Sequence, residues 1–157
     1  MNMYSMMSER HEGMGMVAER AAAATDEVTI SETRDVPIRA LRALQDTAPW
    51  ARGRSHAQLR MLLRHSDIFL TAWDGHGLVG CARVLTDFTV RALICDVIVH
   101  PAYQRRGIGR LLIEAVKAHP ALQRVEMLCL FTTEKHDFYA HLGWEDHPGH
   151  GMILRRR

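Results

Sequence analysis

Residues 96–110, Asp-Val-Ile-Val-His-Pro-Ala-Tyr-Gln-Arg-Arg-Gly-Ile-Gly-Arg, join an apolar strand to a helix through a proline, two glycines and three arginines, and no other stretch restricts the fold as tightly. Leu93 to Val99 is apolar and rich in β-branched residues, interrupted only by Cys95 and Asp96, which predicts a buried strand. Beyond the turn, Ile108, Leu111, Leu112, Ala115 and Val116 recur at helical spacing until His119-Pro120 ends the pattern. The first turn of that helix directs unpaired backbone N–H groups, at the positive end of its dipole, into the space beyond the strand. Gly107 and Gly109 leave those groups approachable, and Arg105, Arg106 and Arg110 add positive charge, an arrangement suited to a pyrophosphate. The plainer alternative is a glycine-bearing helix start with surface arginines.

Length and composition bound the rest. At 157 residues and 47% hydrophobic content, the chain is expected to form one domain with a full core, residues 27–157, after a disordered extension, residues 1–26. That extension holds six of the nine methionines and the run Ala21–Ala24, without an apolar stripe. A net charge of +2 falls short of a nucleic-acid-binding footprint, and the terminal Arg155-Arg156-Arg157 reads as a solvated end. Cys81, Cys95 and Cys129 lie in apolar runs with no paired spacing, so buried free thiols and a reducing, cytoplasmic setting are expected. No zinc-ligand spacing, signal peptide or apolar run of membrane-spanning length appears, so neither a metal nor a membrane partner is expected.

In chain order, Val28-Thr29-Ile30 predicts a first edge strand. Pro37 opens a helix with Ile38, Leu41 and Leu44 on one face, and Ser55 caps a second with Leu59, Leu62 and Leu63 buried. Residues 68–73 and 78–85 predict a hairpin across Asp74-Gly75-His76-Gly77. Val125 to Phe131 predicts a strand, Thr132 or Thr133 a helix cap, Gly143 the residue closing that helix, and Met152-Ile153-Leu154 a last strand. The expected class is α/β of the mixed α+β kind: a central mixed, mostly antiparallel sheet of six to seven strands flanked by about four helices.

A glycine loop between strand and helix also occurs in nucleotide sites, but neither G-x-G-x-x-G nor G-K-[ST] stands here. What stands is Gln104-Arg105-Arg106-Gly107-Ile108-Gly109 after Asp-Val-x-Val-x-Pro-x-Tyr. This resembles the acetyl-CoA-binding motif of the GNAT superfamily of N-acetyltransferases. Phe138-Tyr139-Ala140-His141-Leu142-Gly143-Trp144 resembles the same superfamily's terminal F-Y-x-x-x-G-F/W element, and the order of elements over roughly residues 27–155 matches its architecture.

The resemblance implies acetyl-CoA as co-substrate, with Gln104, Arg105, Arg106, Gly107, Ile108, Gly109 and Arg110 around the pyrophosphate. It also implies that the backbone of Val97, Ile98 and Val99 lies along the pantetheine arm, where a bulged strand splays from its neighbour and an N–H near Ile98 or Val99 meets the thioester carbonyl. Tyr139 stands where the superfamily places a phenol near the thioester sulfur, a general acid for the departing thiolate; its alternative is a core tyrosine beside Phe138. An amine with pKa near 10.4 is free base in only about one molecule in a few thousand at pH 7, so a base or water relay is called for. Asp96, a carboxylate in an apolar strand where burial raises the pKa, is the candidate, and a structural acid holding an arginine such as Arg83 is the equal alternative. On the acceptor side, Trp50, Arg52 and Arg54 come from a loop that overhangs the site in similar proteins. Trp50 reads equally as core and the arginines as surface ion pairs. Asp87, read first as a turn residue, and His136 complete the acceptor candidates. The implied acceptor is a small primary amine, with a protein lysine or N-terminus, or a non-catalytic acyl-CoA sensor, as alternatives; assembly as a homodimer stays open.

Overall fold

The structure, a computed structural model, describes residues 28–75 and 77–147. The extension 1–26 and the expected strand Met152-Ile153-Leu154 lie outside the described residues, apart from the boundary near Val28. The chain runs β1 (Thr29–Glu32), α1 (Ile38–Gln45), α2 (His56–His65), β2 (Ile68–Trp73), β3 (Leu78–Thr86), β4 (Arg91–Val99), a short 3-10 turn (Pro101–Tyr103), α3 (Ile108–Ala118), β5 (Met127–Leu130) and α4 (His136–Ala140). Among the described residues this makes a five-stranded sheet in the order β1-β2-β3-β4-β5, one strand short of the six to seven expected. Every neighbour is antiparallel except β5, which pairs parallel to β4.

The sheet divides two apolar layers. Leu41 and Leu44 of α1 and Leu59 and Leu63 of α2 pack with Phe69, Cys81 and Ile98 on one face. Ile108, Leu112, Ile113 and Val116 of α3 pack with Leu70, Ala72, Ala82, Val84 and Ile94 on the other. Two expected core positions move. Leu111 is exposed, with Ile113 buried in its stead, because the buried stripe follows the 3.6-residue period through 108, 112, 113 and 116. Leu62 is only half-buried. Ser55 does cap α2, accepting from the Gln58 N–H at 3.2 Å while Gln58 Oε1 accepts from the Ser55 N–H at 2.8 Å, a reciprocal capping box. Of the three thiols, all free, Cys81 alone is buried; Cys95 and Cys129 are half-buried because they flank the β4–β5 junction rather than the layer centre. Burial and the neighbouring Asp96 charge push the Cys81 thiol up to about 12.

Two features of β4 position the site. Cys81 pairs with Ile98 but Arg83 with Cys95, so β4 carries one extra residue across that interval. Asp96 takes φ +47 within it, the left-handed conformation that Asp tolerates better than branched residues. The bulge resets the alternation, so Ile98 and Cys95, three apart, share the α1/α2 face. In addition, β5 pairs with β4 only from Arg91 to Ile94, so residues 95–99 of β4 run on without a neighbour on that side among the described residues.

Gly80 lies at the closest approach of these layers: a Cβ built there would meet the Ile98 carbonyl oxygen at 3.1 Å, Leu112 Cδ1 at 3.2 Å and Ala72 Cβ at 3.3 Å. The first of these is backbone and cannot yield without shifting the β3–β4 pairing. Gly80→Ala is therefore expected to cost about 1–3 kcal/mol, read as a lower urea midpoint at unchanged slope. An unshifted midpoint would mean that the sheet spreads freely at this point.

Candidate functional site

At the end of β4 the chain turns sharply. His100 donates its N–H to the Val79 carbonyl (2.8 Å), and His100 Nδ1 accepts from the Ala102 N–H (3.3 Å) to start the 3-10 turn. Since neighbouring strand residues point their backbone groups to opposite sides, that bond turns the amide and carbonyl of Val99 away from β3, towards the side that β5 leaves open. The Val99 carbonyl accepts from Gln104 Nε2 at 3.2 Å. Ile98, by contrast, pairs with Cys81 and directs its backbone to β3. Of the two N–H groups expected near the gap, the register thus selects Val99.

Arg105 at φ +61 and Gly107 at φ +81 then reverse the chain into α3, whose N-cap is Gly107 itself. Only glycine takes this conformation without strain, and it brings no side chain to the cap, so the first N–H groups of α3 stay directed outwards. Arg105, Arg106 and Arg110 are exposed around them. Tyr103, missed as a site residue although it stands inside the motif, braces this turn: Arg106 lies 4.9 Å over its ring and its hydroxyl donates to Asp74 Oδ2 in the β2–β3 turn.

The α4 segment is bound to the same end of the sheet. A Cβ on Gly109 would lie 3.4 Å from Phe138 Cζ and 3.8 Å from Val99 Cγ2, so the first turn of α3, the end of β4 and the Phe138 ring meet at that glycine. Lys117 Nζ donates to the Leu142 carbonyl at 2.9 Å, fastening the other end of α4 to α3. The F-Y-x-x-x-G-W element closes as a Schellman motif: the Trp144 N–H reaches the Tyr139 carbonyl (3.1 Å), the Gly143 N–H reaches the Ala140 carbonyl (3.0 Å), and Gly143 takes φ +86. Tyr139 packs edge-to-face between Phe138 (5.0 Å) and Trp144 (6.1 Å). Burial pushes its phenol above the ordinary tyrosine range. No Thr side chain caps α4. Thr132 Oγ1 accepts from the Lys135 N–H instead, because the helix starts one turn later than expected.

On the α1/α2 face, Asp96 is not a partnerless carboxylate. Its side chain is 6% exposed, and Arg54 forks onto it through Nη1 (3.0 Å) and Nη2 (3.1 Å) while Arg83 Nε donates at 2.6 Å. Arg54 also donates to Gln45 Oε1. Gln45, fully buried on the apolar stripe of α1, was passed over in the sequence; a polar residue following Leu41 and Leu44 on that stripe was its signal.

The remaining acceptor candidates scatter. Trp50 is exposed rather than core, and Arg52 Nε donates to the Asp46 carbonyl at 3.2 Å within its own loop. Asp87 closes the β3–β4 turn, accepting from the N–H groups of Thr89, Val90 and Arg91 at 2.8–3.0 Å, which hold its carboxyl below the ordinary range. It stands at the opposite end of β4 from Val99. His136, exposed, pairs with Asp146 at 2.8 Å, and that carboxylate raises its pKa.

An open strand edge and a helix start ringed by arginines thus meet at the end of β4, with the Phe138 ring packed there and the half-buried Tyr139 beside it. A family profile described as an acetyltransferase (GNAT) domain matches residues 65–146. The soybean protein named "Histone acetyltransferase TAP1" is 33% identical over 136 residues, covering 78% of this chain and 58% of that protein. An Arabidopsis thaliana protein named "GCN5-related N-acetyltransferase 2, chloroplastic" is 30% identical, covering 78% and 55% respectively. The chain thus spans little more than half the length of these two relatives. Among solved structures, a GNAT-family protein from Xanthomonas campestris pv. campestris superposes with a TM-score of 0.73 at 28% identity, over 83% of this chain and 93% of that one. A GNAT-family acetyltransferase from Streptococcus pneumoniae gives 0.70 at 28%, over 83% and 99%.

Proposed function

Because the chain belongs to the GNAT family of acetyltransferases, whose domain profile covers residues 65–146, we propose that it moves the acetyl group of acetyl-CoA to the primary amine of a small molecule, directly within a ternary complex. The observation that carries this reading is the strand edge of residues 95–99, left open beside the start of α3. The fit to the cofactor is good at each point. The outward N–H groups of α3, with Arg105, Arg106 and Arg110, suit the pyrophosphate, Gly107 keeps its approach clear while Gly109 makes room for Phe138, and the open backbone of Val97 and Val99 suits an amide-bearing arm.

Bound acetyl-CoA supplies an activated carbonyl, at which a C–N bond forms as the C–S bond breaks. The Val99 N–H polarises that carbonyl oxygen. Tyr139 gives its proton to the leaving sulfur and regains one from solvent; the apolar packing that raises the phenol's pKa keeps it a donor throughout the neutral range. Asp96, engaged by two guanidinium groups, serves as the anchor that sets the bulge and orients Arg54 and Arg83, while the amine loses its proton to water.

The second reading is a protein lysine acetyltransferase, favoured by the name of the soybean relative. Calorimetry with acetyl-CoA followed by a thiol-release assay on small amines and lysine peptides tests both. Binding with release driven by small amines is the expected result. Release driven by peptides alone would install the second reading, and binding without release would leave a cofactor sensor.

A further inference from the structure

The network around Asp96 is richer in donors than in acceptors. Arg54 and Arg83 bring two positive charges to one carboxylate, and Arg83, with a side chain only 14% exposed, uses Nε alone: among the described residues its two terminal nitrogens have no hydrogen-bond partner. Gln45 Nε2 is buried with no hydrogen-bond partner among the described residues. The planar fork of arginine matches a carboxylate in two parallel bonds, so the unused terminal N–H groups of Arg83 are available to an anion.

Arg54 and Arg83, though not Gln45, line a cavity of about 550 Å³ between α2 and β3, together with His65, Met61, Leu62 and Leu85. Its walls are apolar and its charge is positive. Arg83 stands opposite Cys95 in the β3–β4 register, and both arginines that line the cavity reach Asp96, three residues before Val99 on β4, so the cavity is linked along that strand to the proposed reaction centre.

We propose, building on the acetyltransferase reading above, that the acceptor is an amine that also carries a carboxylate: Arg83 and Arg54 bind the carboxylate and the apolar walls take the hydrocarbon part. A flexible cationic acceptor such as a lysine within a basic peptide meets like charge in the same cavity and is disfavoured.

The test measures kcat/KM at saturating acetyl-CoA for leucine and for ε-aminocaproate, each against its primary amide, and for a basic lysine peptide. At least one acid is expected to exceed its amide by about tenfold or more, the range of a charge-assisted pair. Arg83→Gln should cut that preference to about threefold or less while leaving acetyl-CoA affinity within about twofold. A binding measurement needs neither turnover nor a variant: N-acetylleucine should bind the CoA-saturated wild-type protein at least about tenfold more tightly than N-acetylleucinamide. Equal kcat/KM for acids and amides, a peptide preferred over both, or equal or undetectable binding of the two acetylated probes would overturn the carboxylate site. Absence of transfer to every amine, with the N-acetylleucine preference intact, would instead overturn the acetyltransferase reading and keep the anion site.

Discussion

Asp96→Asn is expected to lower the unfolding free energy by about 3 kcal/mol. The carboxylate is 6% exposed and compensates guanidinium groups that are 25% and 14% exposed. Asparagine keeps the left-handed backbone at φ +47 but removes the charge and turns an amide donor towards donors. Asp96→Ala should cost about 1 kcal/mol more, since alanine gains nothing in that conformation. Urea unfolding reads both, and native-like midpoints would show that the two arginines find water instead. The same variant separates anchor from base. A pH–rate profile of Asp96→Asn that keeps the wild-type acidic limb, at reduced height, supports the anchor; loss of that limb would make the carboxylate the base after all.

Tyr139→Phe is expected to reduce kcat by about 100-fold with little change in the Kd for acetyl-CoA, in keeping with loss of one positioned proton donor. The ring contacts with Phe138 and Trp144 involve no hydroxyl, so phenylalanine preserves the packing and the Schellman closure. Because burial raises the phenol's pKa above 10.0, the donor stays protonated below that pH, and any alkaline fall in kcat due to its ionisation belongs above it. Undiminished turnover in the variant would return Tyr139 to the core reading, and a weakened Kd at equal kcat would make it a binding residue.

Much of this site was legible in the residues because its parts are local. Gln104 to Arg110 specify a glycine-reversed turn into a helix whatever surrounds them, since only glycine accepts φ +81 freely and the helix start exposes N–H groups by construction. The same holds for Gly143 and the aromatic pair it closes: the motif is seven residues long and its bonds run between neighbours. The Ser55 capping box is local as well.

What the tertiary structure decided is everything that depends on residues far apart in the chain. The role of Asp96 turned on Arg54, 42 residues before it, and Arg83, 13 before it. A lone buried carboxylate and one held by two guanidinium groups look alike in a sequence. The bulge that selects Val99 over Ile98 arises from the β3 partner register, because strand alternation by itself has no origin until a neighbour supplies one. Asp87 and Arg52, chosen as charged residues in loops, spend their hydrogen bonds on their own turns, as short loops with several unpaired backbone groups demand. By itself, then, the sequence determined the glycine-reversed turn into α3, the aromatic closure and the family, each built from contacts within a few residues. Only the folded sheet decided which backbone group faces the gap and which charges remain uncompensated, because pairing and burial are properties of distant segments brought together.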